Sequence, residues 1–430
     1  MVAVGKGNNG ADGKIIAEKL ALKHGFSVTL FDAFNDDISV LDGDYDLVVD
    51  CIFGTGLNKD ITGRVAEVIK KINDKKAKVI ACDIASGLDA NTGLAYNVCV
   101  KADLTVAVQE FKTGHFLNDG KEYSGEVVAK DIGISVWENR FAFKLRTKDV
   151  KAFYVKRNEN THKGSYGKAG VIGGSKDFFG APLLSNSALA TMLSGAGYGY
   201  LFVPSELYPI YAGLNPECII STVKSVDGNM ALDGELLDKI KTLDAVAFGM
   251  GAGATKGTYD VLVSLLNNYD KKLIIDADGL NALAKFGVDA LQNKKCQVLI
   301  TPHVKEFSRL TGKAVQEIIL NPIGVAEDFA KKYGVTVLLK GTASIITDGE
   351  RTCINITGTP ALAKAGSGDV LSGVIAGLSA SRDLFESACV GAYTFGIAGE
   401  LCAKEHSEYS VVASKLPEYL GKAIVHIQNK

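Results

Sequence analysis

The chain predicts two doubly wound α/β domains in series. Three observations predict this. Short apolar runs alternate with helical stretches along most of the 430 residues, a length that suits two domains. Many of these runs are continuously apolar, which is the pattern of strands buried on both faces of a parallel sheet. Small-residue loops follow the runs, and such sheets bind ligands at those loops.

In the first half, Val2–Val4 reads as a strand, followed by a Gly-rich turn and a helix to about His24. Ser27–Phe31 and Asp46–Phe53 read as strands, Val65–Ile72 as a helix, and Val79–Cys82 and Leu104–Val108 as further strands. The alternation breaks in a charged stretch over residues 139–160, which places a boundary near Arg146, with domains at 1–145 and 146–430. The second domain then offers strands at Ala169–Ile172, Tyr200–Val203, Ala245–Phe248, Leu273–Asp276, Val298–Thr301, Val335–Lys340 and Ser344–Thr347.

Charged residues make up 22% and hydrophobic ones 47%, as in globular chains with substantial cores. The net charge of -2 offers no basic field for nucleic acid. The eight Cys are scattered without a C-x-x-C, which reads as free thiols in a reducing compartment. The N-terminus lacks a signal-peptide pattern, and no stretch is long and apolar enough to span a bilayer. A cytoplasmic protein without membrane or nucleic-acid partners is expected.

The segment Ala365–Leu378, AGSGDVLSGVIAGL, carries the clearest chemistry. Gly366 and Gly368 let the backbone approach a ligand, and the free N–H groups of a starting helix can hold phosphate oxygens. Asp369 at that anion site can take a proton from a hydroxyl attacking a phosphoryl group. The competing reading makes Asp369 a helix cap.

In the first domain Gly5-Lys6-Gly7-Asn8-Asn9-Gly10 fits G-x-G-x-x-G, and a dinucleotide reading would put Asp32 on a ribose. The two Asn are unusual there, and a Walker A reading fails because Ile15 replaces the required Ser or Thr. Two more loops follow strands, at Asp50–Leu57 and Asp83–Asp89, so three strand-end loops point to one pocket. Asn9, Asp50 and Ser86 are hard oxygen donors that suit potassium better than zinc.

GNNGADG, VDCIFGTGL and CDIASGLDANTG closely resemble the motifs of NAD(P)H-hydrate epimerases. The resemblance implies a Rossmann-like domain whose substrate site is lined by Asn8, Asn9, Gly10, Ala11 and Asp12, and by Gly54, Thr55, Gly56, Leu57, Asn58, Lys59 and Asp60. It makes Asp83 a substrate contact that assists proton transfer, and places Asn9, Asp50 and Ser86 about a potassium ion. Ala11 stands where the family usually has Gly. Family members carry two helices before the first strand, whereas this chain starts inside that strand, so an N-terminally shortened domain with impaired epimerisation is expected.

Residues 150–400 resemble ADP- or ATP-dependent NAD(P)H-hydrate dehydratases, through His162–Gly167, Gly173–Ser175, Gly249–Gly253, Asp276–Asn281, Thr301–His303, Lys340–Gly341 and Gly366–Asp369 in that order. These loops are expected to form one continuous rim. The resemblance implies a ribokinase-like fold. It assigns the adenine nucleotide to Lys340, Gly341, Thr342, Ala343 and Ser344, and to Thr359, Pro360, Ala361, Leu362, Ala363, Lys364, Ala365, Gly366, Ser367 and Gly368. It assigns the hydrate to Ala181, Gly251, His303 and Asp369, with Asp369 as the catalytic base. GMGAG stands where the family has GPGLG, a change in pocket lining.

The implied activity is bifunctional repair of NADH hydrate and NADPH hydrate. The first domain interconverts the R and S epimers, and the second dehydrates the S epimer with ADP, releasing AMP and phosphate. ADP is the expected donor, with Mg2+ on its phosphates, K+ in the first domain, and a homo-oligomeric assembly. The alternative is a ribokinase-like vitamin or sugar kinase whose first domain only binds or assembles; the fusion of the two motif sets argues against it.

Overall fold

The computed structural model describes residues 1–134, 143–190 and 193–430. The chain divides into two compact units, Met1–Asn139 and Arg140–Lys430.

The first unit carries strands β1 (Val2–Val4), β2 (Leu30–Asp32), β3 (Leu47–Cys51), β4 (Lys78–Cys82), β5 (Leu104–Val108) and β6 (Glu126–Lys130). They form a six-stranded sheet in the order β2-β1-β3-β4-β5-β6, parallel throughout. The strand expected at Ser27–Phe31 is shifted to Leu30–Asp32, where it pairs with Val2–Val4. One apolar cluster includes Ala3, Val48, Ile69, Ile72 and Ala81. A smaller one, under the helix Asn8–His24, joins Val2, Val4, Ala17 and Val49. The helix fits this closely because Gly13 brings no side chain: a Cβ there would stand 2.7 Å from both Cys51 Cβ and a Val4 methyl.

The second unit carries β7 (Phe143–Lys144), β8 (Lys168–Ile172), β9 (Tyr198–Pro204), β10 (Cys218–Val223), β11 (Ser225–Val226), β12 (Asn229–Met230), β13 (Ala245–Phe248), β14 (Lys272–Ile275), β15 (Gln297–Ile300), β16 (Thr336–Leu339), β17 (Ser344–Thr347) and β18 (Thr352–Asn355). Ten of these make one sheet in the order β10-β9-β8-β13-β14-β15-β16-β17-β18-β7, while β11 and β12 form a separate hairpin. The run from β10 to β16 is parallel, so its strand ends bring many loops to one edge. The β13–β15 strands are almost wholly apolar and buried, as a sheet covered on both faces requires.

The helix Ser367–Ser379 runs through this core, with Val370, Val374 and Ile375 nearly inaccessible. Its small residues permit a very close neighbour. A Cβ on Gly373 would stand 2.0 Å from the Ser185 carbonyl oxygen, so the helix Gly180–Ala190 packs backbone to backbone against it. That packing fixes where the start of Ser367–Ser379, with Asp369, meets the strand ends.

Candidate active sites

In the first unit, a cavity of about 690 Å³ opens at the strand ends. Asn8, Asn9, Asp12, Gly54, Thr55, Gly56, Leu57, Asn58, Lys59 and Asp83 line it. Gly10, Ala11 and Asp60 are absent from that lining. Gly10 instead packs on the Gly5 backbone, where a Cβ would be 2.0 Å from an oxygen. Ala11 sits within the helix Asn8–His24, a conformation alanine adopts freely. Lys6, Phe34, Ile52, Phe53 and Val108 also line the cavity and were not assigned from sequence. Lys6 lies over the Phe34 ring, 4.7 Å from its centroid. Asp32 spends its carboxylate on its own turn, accepting from Phe34 N at 2.8 Å and Asn35 Nδ2 at 2.9 Å. It does not line the cavity, which leaves the dinucleotide reading without its ribose contact.

Beneath the cavity floor, Asp50 is fully buried. It accepts from Ser86 Oγ at 2.6 Å, Ser86 N at 2.7 Å and Ile52 N at 3.1 Å. Burial pushes its carboxyl up to about 6, against the pull of the Ser86 and Ile52 hydrogen bonds. No cationic side chain pairs with it among the described residues. Asn9 donates through Nδ2 to the Phe53 carbonyl at 2.7 Å, and its Oδ1 is buried without a partner. A buried carboxylate without a counter-charge, beside an orphaned amide oxygen, a hydroxyl and a carbonyl, is a donor set that fits a potassium ion.

Asp83 follows β4 with φ of 66°, a left-handed conformation that costs an ordinary residue of order 1–3 kcal/mol. The strain is held by three contacts. Its Oδ1 accepts from Val108 N at 2.9 Å and pairs with Lys112 Nζ, while its carbonyl meets His115 Nε2 at 2.9 Å. His115 is wholly buried, and its Nδ1 accepts from Lys112 N at 3.1 Å. Sequence reasoning missed Lys112 and His115. Only their place just after the β5 strand end could have flagged them.

In the second unit, the loops after β8, β13, β14, β15 and β16 share one edge with the start of the helix Ser367–Ser379. Asp276 is buried at the end of β14, accepting from Lys340 Nζ at 3.0 Å and Ser372 Oγ at 2.7 Å. A Cβ on Gly368 would come 3.3 Å from Lys340 Nζ and 3.7 Å from Asp276 Oδ2, so the GSGD turn rests on this ion pair. Burial, and then the Asp276 charge, push the Asp369 carboxyl up to about 7; Lys340 opposes, and Asp278 and Glu306 add to the rise. Burial works against the Lys340 charge, but Asp276, Glu306 and Asp369 together raise its pKa.

Gly366 caps the helix in a left-handed conformation without a side-chain cap. Asp369 therefore is not the cap, sitting instead in the first turn. Val370 N bonds to Gly366 O and Ser367 N to Lys364 O, while the N–H groups of Gly368 and Asp369 have no partner among the described residues. Ser367 Oγ and Ser175 Oγ are both buried and unpartnered. Free donors and a helix start beside Lys340 form an anion site.

Gly251 packs on the start of Gly180–Ala190, where its Cβ would be 3.0 Å from Ala181 Cβ, which brings two expected hydrate contacts together. His303 caps the helix Val304–Thr311, its Nδ1 accepting from Lys305 N and Glu306 N. It also bridges to Lys340 through the backbone. Burial, and then the nearby Lys340 charge, lower the pKa of its ring. In the nucleotide loops Gly341 and Thr342 are exposed, and Ala343 is buried against the sheet. Thr359 caps Pro360–Leu362 and bonds Glu408, and Lys364 donates to the Tyr409 carbonyl at 2.6 Å.

One expected placement is corrected. His162–Gly167 does not join the rim. It precedes β8, so chain direction puts it at the opposite edge of the sheet, where a Cβ on Gly167 would meet the Ala380 carbonyl at 2.4 Å, just past the far end of Ser367–Ser379.

The profile of the NAD(P)H-hydrate dehydratase family matches residues 169–422, and that of the YjeF-related protein N-terminus matches residues 31–114. A bifunctional NAD(P)H-hydrate repair enzyme of Thermofilum pendens is 33% identical over 98% of this chain and 87% of its own. One from Archaeoglobus fulgidus is 33% identical over 100% and 89%. The chain belongs to the bifunctional NAD(P)H-hydrate repair enzyme family. Among solved structures, an ADP/ATP-dependent NAD(P)H-hydrate dehydratase from Bacillus subtilis, co-crystallised with ATP/Mg2+, is 28% identical with a TM-score of 0.58. It covers 68% of this chain and 100% of its own. A ribokinase-like superfamily protein from Enterococcus faecalis, at 21% identity and a TM-score of 0.59, shares the fold over 69% of this chain. The second unit thus has the ribokinase-like fold, and the first a Rossmann-like parallel sheet. Among the described residues no helix is long and apolar enough to cross a membrane.

Proposed function

We propose that the second unit dehydrates the S epimer of NADH or NADPH hydrate with ADP, and that the first unit interconverts the epimers. The observation that carries the dehydratase reading is the free N–H pair of Gly368 and Asp369 beside the Lys340–Asp276 ion pair. In this reading the Asp369 carboxylate takes the proton of the C6 hydroxyl. The hydroxyl oxygen attacks the terminal phosphorus of ADP, and the bond to the AMP oxygen breaks. Lys340 and the two N–H groups hold the transferring charge. The ring nitrogen lone pair then expels phosphate, and loss of the C5 proton restores the dihydronicotinamide. Phosphorylation has turned hydroxide into a good leaving group.

The charges of Asp276, Asp278 and Glu306 all add to the rise of the Asp369 carboxyl while Lys340 opposes it, and this negative excess suits a divalent cation. No group of three or more His, Cys, Asp or Glu forms a protein cage for a metal among the described residues. Mg2+ would therefore take its oxygens mainly from the phosphates, and when bound it would neutralise their charge. The nucleotide would lie along Lys340–Ser344 and Thr359–Gly368.

In the first unit, the hydrate would occupy the 690 Å³ cavity, with Asp83 moving the proton and Lys112 holding its carboxylate. A potassium ion would sit among Asn9, Asp50 and Ser86, where it would supply the missing counter-charge and orient substrate oxygens. Family resemblance supports a homo-oligomer acting in the cytoplasm on small molecules only. The test is to feed mixed hydrate epimers with ADP and Mg2+ and follow each epimer chromatographically. Loss of both, faster than their spontaneous exchange, supports the bifunctional reading; no loss of the S epimer overturns it.

A further inference from the structure

The His162–Gly167 segment lies at the other edge of the second sheet. A cavity of about 640 Å³ opens there, lined by Phe153, Lys156, Arg157, Tyr166, Ser194 and Arg382 among others. Tyr166 belongs to the His162–Gly167 motif that the reaction does not use. Gly377 and Leu378, in the last turns of Ser367–Ser379, also line it. Gly377 and Leu378 lie eight and nine residues beyond Asp369 on this helix, so at a rise of about 1.5 Å per residue they are roughly 12–14 Å from it along the axis.

Its chemistry is one-sided. Three cations line it and no carboxylate does. Lys156, Arg157 and Arg382 have no acidic partner among the described residues. The Arg157 guanidinium carbon lies 3.8 Å from the Tyr166 ring centroid, and that of Arg382 lies 4.9 Å from the Phe153 centroid. Arg157 Nη2 also donates to the Gly195 carbonyl at 3.0 Å. The aromatic contacts, and for Arg157 the Gly195 hydrogen bond, hold the two guanidiniums at the cleft, and a guanidinium fork matches phosphate oxygens. Ser194 lines the same cavity, and its buried Oγ has no partner. Unpaired cations gathered in a cleft cost Coulomb energy that a multiply charged anion would relieve.

We propose that this cavity is a second binding site for a phosphorylated nucleotide, a nucleoside di- or triphosphate, distinct from the reaction site. Its volume is in the range of small-molecule sites. The two guanidiniums offer planar faces for a base as well as edges for phosphates, and free phosphate would use only the edges.

The test is equilibrium calorimetry of the full chain with a non-hydrolysable ATP analogue and Mg2+. Wild type should show one more equivalent than the Arg157→Gln/Arg382→Gln variant, whose ADP-dependent hydrate turnover should be unchanged. Lys156→Glu, at an exposed position, should weaken only that extra equivalent, about ten-fold for one charge contact. An equal number of equivalents in wild type and double variant would overturn the proposal. So would an extra equivalent that Lys156→Glu leaves unweakened. Tripolyphosphate filling the site as tightly as the analogue would overturn the nucleotide assignment. These readouts count binding at a site remote from Asp369, so they are independent of whether the hydrate is the substrate.

Discussion

Replacing Asp369 by Asn tests the base directly. The amide keeps the size of the side chain but cannot accept the proton. Loss of a general base costs roughly 10² to 10⁴ in rate. The structure adds a pH signature. Burial and the Asp276 charge hold the Asp369 carboxyl at about 7, so the base is half ionised there. The kcat/KM of wild type should therefore fall about ten-fold per pH unit below that point and level off above it. In Asp369→Asn the residual rate should lose this limb, while nucleotide affinity by calorimetry stays within a few-fold. Stability supplies an independent check. A carboxyl raised in the folded state contributes stability that is fully present below the unfolded value near pH 4 and is lost as pH rises through about 7. Asp369→Asn removes that loss, so its Tm should exceed wild type at about pH 8, with the gap closing toward about pH 4. Near-normal turnover in the variant, or a pH limb that persists in it, would refute the assignment of Asp369 as base.

Lys340→Met should leave Asp276 buried without its cation, lowering stability by about 3–5 kcal/mol in urea unfolding, with much of the loss restored by adding Asp276→Asn. Asp50→Asn should abolish the rise in Tm that potassium gives wild type, since binding to the folded state alone stabilises it; an equal rise in the variant would place the cation elsewhere. Lys112→Met should slow conversion of the R epimer about 10²-fold by loosening Asp83, while ADP-dependent loss of the S epimer is unchanged.

The sequence made the interior strands legible because burial on both faces leaves continuous apolar runs, as at Leu104–Val108 and Ala245–Phe248. Of the edge strands, β2 was read with shifted bounds, and two were not legible. Glu126–Lys130 is largely exposed and Cys218–Val223 is mostly half-buried, and neither carries a long apolar run. In the sites, glycine and carboxylate motifs marked the loops, and the Asp369, Lys340 and Asp276 segments do converge. Spacing could not say which motif residues face the cavity, so Gly10, Ala11 and Asp60 were assigned and Phe34, Phe53 and Lys6 were missed. His162–Gly167 was misplaced although chain direction held the answer: a motif before a parallel strand belongs to the edge opposite a motif after it. Lys112 and His115 meet Asp83 only through the folding of the segment after β5, and no spacing pattern in the sequence announces that contact.

The most direct measurement is product accounting in a single reaction of the S epimer with ADP and Mg2+. One AMP and one inorganic phosphate should appear for each dihydronicotinamide formed, read by absorbance and chromatography together. A phosphorylated sugar or vitamin that persists as product, with no dihydronicotinamide recovered from the hydrate, would contradict the dehydratase reading.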